Sequence, residues 1–133
     1  MANSLTRDGE KACLLGGASD GSVARLATSV RLFKSTSSPN KDGTGFNEVD
    51  DGNGYTSGGH AITEANWTYD VSNAKITLAD QTWTASGGQV LNVKGAYIVD
   101  AGGNVLAWWA RSTPVTLDSG DDITLDDLVV QLT

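Results

Sequence analysis

Any chemistry in this chain has to be built from one histidine, one cysteine and two groups of aspartates. His60 stands alone, so neither a triad needing a second histidine nor a histidine-rich metal site can be assembled, and it reads as a polar residue of a surface loop. Cys13 has no partner for an intrachain disulfide; the fold therefore does not depend on an oxidising compartment, and the thiol reads as a small buried side chain on a helix. The groups Asp50/Asp51 and Asp118/Asp121/Asp122/Asp126/Asp127 carry the oxygen ligands that calcium accepts, but neither has EF-hand spacing. They read as turn formers that also keep a β surface soluble and its edges from pairing. The glycine-rich runs GGASDG and DDGNG lack the lysine and the strand-to-helix context of a phosphate loop. With no base, nucleophile and oxyanion site together, no enzyme activity, cofactor or metal is expected.

Trp108 and Trp109 are the most informative pair. Neighbours on a strand point to opposite faces, so if Val105, Ala107 and Trp109 face inward, Trp108 faces outward with Leu106. An outward tryptophan calls for a cover: the chain's own long loop, a neighbouring subunit, or a ligand such as a sugar ring.

The elements around these residues read as β-sheet. Residues 5–15 form the only expected helix, with Ser4 or Thr6 able to cap it, Asp8 and Glu10 in its first turns, and Gly16-Gly17 to stop it. Residues 1–22 are accordingly read as an N-terminal helix or arm. Residues 23–33 alternate as a half-buried strand, with Leu26, Thr28, Val30 and Leu32 on one face. Residues 34–60 form a long surface loop for which Phe46, Val49 and Tyr55 are the anchors, and 60–69 regain the composition of a strand. Short strands follow at 73–79, 81–85, 89–100, 104–111, 115–117 and 123–132. In 89–100, Leu91, Val93, Tyr97 and Val99 fall in phase, with Gly95 as a bulge or point of close approach. Residues 100–104 are the clearest hairpin signal. In the last segment Ile123 and Leu125 share one parity and Leu128, Val130 and Leu132 the other, which predicts a bend at Asp126-Asp127 and a passage between sheets. The expected fold is all-β: an antiparallel β-sandwich or jelly roll of about eight strands with a short N-terminal helix.

At 133 residues the chain is expected to be a single domain, and 39% hydrophobic with only 19% charged residues is too apolar for disorder. A net charge of −7 argues against nucleic acid and anionic membranes as partners. The N-terminus lacks the pattern of a signal peptide, and no run approaches membrane-spanning length, so assembly in a cytoplasm is expected.

Taken in order, several features resemble a diffuse group of small virion structural proteins of tailed bacteriophages. They are Leu14-Leu15-Gly16 at the helix end; Val30-Arg31-Leu32-Phe33 before a loop with Pro39; Gly45-Phe46-Asn47-Glu48-Val49; Tyr55 ahead of Ala61-Ile62-Thr63; and Ala96-Tyr97-Ile98-Val99-Asp100 with Gly103 and Leu106-Ala107-Trp108. Many members of that group carry an arginine shortly after the tyrosine, where this chain has Thr56-Ser57-Gly58-Gly59-His60. The resemblance implies a non-enzymatic virion component: a capsid decoration (cement) protein, or a tail or fibre subunit. It implies a homo-oligomer whose partners are the major capsid protein or other virion proteins. The helix and the long loop would be the docking parts, with Leu5, Leu15, Phe46, Val49, Tyr55 and Trp108 as partner-binding candidates, and the hairpin around Gly102 an outer tip. From another class, a carbohydrate-binding module would use Trp108 or Trp67 as its stacking platform.

Overall fold

The computed structural model describes residues 3–6, 27–70 and 75–131. Among these lie ten strands: β1 (Asn3–Leu5), β2 (Ser29–Lys34), β3 (His60–Ala61), β4 (Trp67–Asp70), β5 (Lys75–Leu78), β6 (Gln81–Thr84), β7 (Val90–Val99), β8 (Val105–Leu117), β9 (Asp122–Leu125) and β10 (Leu128–Gln131). They pair antiparallel in three sheets, ordered β1-β8-β7-β2-β3, β10-β5-β4 and β6-β9. The described residues are thus all-β, as expected, and contain no α-helix. Leu5, expected to begin one, ends β1 instead, opposite Ala107. Thr6, offered as its cap, instead donates its N–H to the Leu106 carbonyl at 2.8 Å, and residues 7–15, with Cys13 and Leu15, lie outside the described residues.

The β7–β8 hairpin is the spine of the largest sheet. Asp100 makes its turn: the carboxylate accepts the backbone N–H groups of Gly102 and Asn104, both at 2.9 Å, while the Asn104 carbonyl accepts the Asp100 N–H. Pairing then runs from Val99 opposite Val105 down to Val90 opposite Leu117, interrupted by bulges. Where the sequence suggested two strands, 104–111 and 115–117, β8 is one strand with a wide irregularity. Four residues, Arg111 to Pro114, stand against the single Lys94, because Pro114 has no N–H for the ladder.

Bulges also break the single phase expected for Leu91, Val93, Tyr97 and Val99. Asn92 takes φ +55° and Leu91 is left 45% exposed, while Val93 turns into the main core with Ala96 and Ile98. Tyr97 and Val99 face the opposite side of the sheet.

The C-terminal bend is present. β5 pairs with β10, and β6 with β9; Leu78 faces Leu128, and three residues further along each strand Gln81 faces Leu125. β5–β6 and β9–β10 therefore form one antiparallel ribbon in constant register, interrupted at 79–80 and 126–127. Asp127 supplies φ +53° at the break. Both strands change parity there, so Leu78 and Leu128 are buried before it, and Trp83, Ile123 and Leu125 after it. The ribbon keeps its apolar side on the core while it changes direction.

Residues 60–69 do not form the continuous strand their composition suggested. β3 ends at Ala61, a 3-10 turn occupies Glu64–Asn66, and β4 opens a different sheet. The Asn66 side chain, which accepts the Thr63 N–H at 2.7 Å, makes the break. Buried residues of β2, β5, β6, β7, β8, β9 and β10 join in one apolar cluster, at whose centre Trp109 is fully buried and donates from Nε1 to the Val129 carbonyl at 3.0 Å.

Candidate functional site

The opposite face of the five-stranded sheet carries a second, smaller cluster. Cross-strand register aligns Arg31, Tyr97 and Trp108 in one row, with Phe33 and Gly95 in the next. Phe33 lies over Gly95, where a Cβ would come within 2.8 Å of its ring. Phe33, Tyr97, Val99 and Val105 are buried, and Trp108 packs beside them half-buried. Phe46 descends onto this face from the long loop. Its ring stacks on Tyr97 at 4.9 Å and meets Phe33 and Trp108 edge-on at 5.6 and 5.7 Å. Such offset-stacked and edge-to-face pairs are the favoured aromatic geometries.

The loop holds Phe46 there because it is itself folded. After β2 the chain doubles back on the strand: Phe33 bridges Glu48, Lys34 N donates to the Asn47 carbonyl at 2.8 Å, and Val49 N donates to the Leu32 carbonyl at 3.0 Å. Between these ties, Asn40 caps the reversal by accepting the Asp42 N–H, Ser38 N donates to Gly45 O, and Asn47 N donates to the Ser37 hydroxyl oxygen. Lys34 and Asp50 form an ion pair at 3.0 Å, too exposed to add much. The result is a strap across the outer sheet face with one aromatic ring pointing down.

The next stretch is locked from below. Tyr55 is buried in the main core, its hydroxyl accepting the Leu32 N–H at 3.1 Å and donating to Glu48 Oε1 at 2.7 Å. Glu48 Oε1 also accepts the Gly58 N–H at 2.7 Å. One carboxylate therefore ties strap, core and the approach to β3 together. Burial, then the neighbouring Glu48 charge, pushes the Tyr55 hydroxyl far above the usual tyrosine range, so it remains a proton donor. Tyr97 is pushed up as well, by burial first and Glu48 second, with Arg31 opposing.

His60 closes the inner edge. Its imidazole lies flat on the Trp83 ring at 4.1 Å and 12°, and Nδ1 meets Gln81 Oε1 at 2.9 Å. Gln81 spends its Nε2 on the Ala79 carbonyl, so its Oε1 must accept and the His60 proton sits on Nδ1. The side chain reads as a packing bridge between β3 and β6. Trp83 is buried with no partner for its Nε1 among the described residues.

Of the partner-binding candidates, Phe46 and Trp108 are brought together on the outer face. Val49 and Tyr55 lie in the main core, fulfilling the part of loop anchors and presenting nothing outward. Leu5 lies on β1 opposite Ala107, and Leu15 lies outside the described residues. Phe33, Tyr97 and Glu48 were not singled out from the sequence. For Phe33 and Tyr97 the available signal was that each follows a core residue of the opposite parity; for Glu48 there was none beyond its position in Asn47-Glu48-Val49. Among the described residues the aspartates serve turns and ties: Asp51 accepts Ser57 N, Asp121 accepts Asp118 N, and Asp122 accepts the Thr84 hydroxyl. No three acidic, cysteine or histidine side chains there are grouped to hold a metal ion. No helix among the described residues is long and apolar enough to cross a membrane.

No protein-family model, curated protein or solved structure matches this chain.

Proposed function

We propose that this chain is a structural protein of a bacteriophage virion, a capsid decoration (cement) protein that binds the assembled shell and stabilises it by bridging coat subunits. The observation that carries this reading is the half-buried Phe46–Trp108 pair, held rigid on the outer sheet face by a strap that is hydrogen-bonded within itself. Pre-ordered aromatic side chains flanked by polar groups are what protein interfaces use as anchors, since little conformational freedom is lost when a partner covers them. The resemblance of Gly45-Phe46-Asn47-Glu48-Val49, Tyr55 and the 96–108 hairpin to phage virion proteins supplies the partner class. Packing of the two smaller sheets against the inner face of the largest is read here as a β-sandwich. Selective binding to the assembled form stabilises a shell by mass action, with no catalytic step. A homo-oligomer matched to a symmetry position of the shell fits this task.

The test is the mass of the purified chain in solution followed by co-sedimentation with capsids that lack it. A symmetric oligomer sedimenting at a fixed ratio to coat subunits is expected. A chain that ignores shells defeats the decoration reading and directs the search first to tail and fibre assemblies, then to a glycan screen.

A further inference from the structure

Asn53-Gly54 is the sequence's only Asn-Gly step, and the fold uses it as the centre of a tight turn. Gly52 N donates to the Tyr55 carbonyl at 2.7 Å and Tyr55 N to the Gly52 carbonyl at 3.0 Å, with φ +55° at Asn53 and +94° at Gly54. Positive φ at both central residues is the two-residue hairpin turn for which Asn-Gly is the preferred pair. Asn53 also docks this turn on the β6–β7 connection. Its Nδ2 donates to the Gln89 carbonyl at 2.9 Å, and its own carbonyl accepts the Ser86 N–H at 2.9 Å. The two turns fit because each has a glycine where the other approaches. A Cβ on Gly54 would strike the Thr84 carbonyl oxygen, and one on Gly88 would lie 2.8 Å from the Asn53 carboxamide.

We propose that Asn53 is a self-modification site, a deamidation centre that the docked turn holds inactive and whose reaction permanently undocks residues 52–55. In the reaction the backbone nitrogen of Gly54 attacks Asn53 Cγ. The N–Cγ bond forms, the Cγ–Nδ2 bond breaks, and ammonia leaves carrying the proton from the Gly54 nitrogen. Water then opens the cyclic imide at one of its two carbonyls, giving aspartate or isoaspartate. The sum is amide plus water to acid plus ammonia, with no redox change. Glycine leaves its nitrogen unhindered by a side chain, which makes this step the chain's most reactive asparagine.

The folded turn blocks the first step. With its Nδ2 on Gln89, the carboxamide points at the β6–β7 connection, and ring closure requires it to leave that partner and swing toward the Gly54 nitrogen. Only an opened turn permits this, so the rate follows local opening. The product cannot return. Aspartate at this position would set a carboxylate against the Gln89 carbonyl, two acceptors with no proton between them. Isoaspartate lengthens the main chain by one carbon, and the paired hydrogen bonds of Gly52 and Tyr55 no longer close. This inference is independent of the virion reading.

The experiment incubates the intact chain at mildly alkaline pH, folded in buffer and unfolded in urea, and follows the Asn53 peptide by mass and by isoaspartate content. Other asparagine peptides of the same digest serve as internal references. The folded chain is expected to convert at least about tenfold more slowly than the unfolded one. Gly88→Ala sharpens the test, since its φ is not in the left-handed region and the added methyl displaces the Asn53 carboxamide from Gln89. It should deamidate at Asn53 faster than the parent while circular dichroism shows the same sheet. Equal rates in the folded and unfolded parent, or a folded Gly88→Ala chain with the parent's rate, would overturn the proposal.

Discussion

Trp108 and Trp109 are adjacent in the chain and belong to different physical worlds. Trp109 lies at the centre of the main core, fully buried and bonded to the Val129 carbonyl, where it joins β8 to β10 across two sheets. Trp108 lies on the other face in a cluster of four aromatic rings, partly open to solvent and covered by a ring from the chain's own strap. The inner face is joined by strands from every sheet. The outer face is closed by a loop whose order comes from its own hydrogen bonds. The inner tryptophan therefore answers to stability, and the outer one to whatever meets the surface.

The largest expected effect lies on the inner side. Trp109→Ala should cost about 3–5 kcal/mol, enough to unfold a marginal domain, whereas Trp108→Ala should cost under about 1.5 kcal/mol because the site is open and can relax. Urea unfolding of the two variants checks this, and equal losses would erase the distinction between the faces. Next comes Tyr55→Phe, which strips the Leu32 N–H of its acceptor and Glu48 of a donor. A loss of about 1–3 kcal/mol is expected, with the strap loosening as measured by amide exchange at Asn47 and Val49.

A smaller contrast separates two buried indoles. Trp109→Phe leaves the Val129 carbonyl without its donor and should cost about 1 kcal/mol more than Trp83→Phe, since the Trp83 Nε1 has no partner among the described residues. The last effect is a pH dependence. Tyr55 and Tyr97 both have hydroxyls raised above the ordinary tyrosine value, so above that value the unfolded chain loses protons that the folded chain keeps. Their contribution is complete below about pH 10 and is lost as pH rises beyond it, so unfolding midpoints should fall on the alkaline side. Tyr55→Phe should flatten that slope.

What the sequence discloses follows the same division. The split of Trp108 from Trp109 is legible because strand alternation needs no tertiary information, although Val105, expected inside, lies in the outer cluster and Leu106, expected outside, in the main core, since the register shifts between Ile98 and Val99. The bend at Asp126-Asp127 is legible too, because a parity change admits few other geometries. Alternation fails in β7, because the register shifts where Asn92 enters the left-handed region and shifts again between Val93 and Gly95, so that Val93 joins Val90, Ala96 and Ile98 in the main core, and nothing in Leu91-Asn92-Val93 announces that. It fails again at Arg111 to Pro114, where the proline signals an interruption that the strand absorbs as a bulge. Leu5 opens a stretch whose composition favours a helix, yet backbone pairing with Ala107 prevails over that local preference at Leu5. The outer site was half legible. Phe46 and Trp108 stand out by type, but Phe33 and Tyr97 join them only through register between strands far apart in the chain, and Glu48 only through a buried hydroxyl that reaches it.

The most direct test is co-sedimentation of the parent and of Trp108→Ala with capsids lacking the chain, each checked first for an unfolding midpoint. The account predicts that the parent binds at a fixed ratio to coat subunits and that Trp108→Ala stays folded but binds at least about tenfold more weakly. A folded Trp108→Ala chain that binds as well as the parent, or a parent that does not bind, would contradict it.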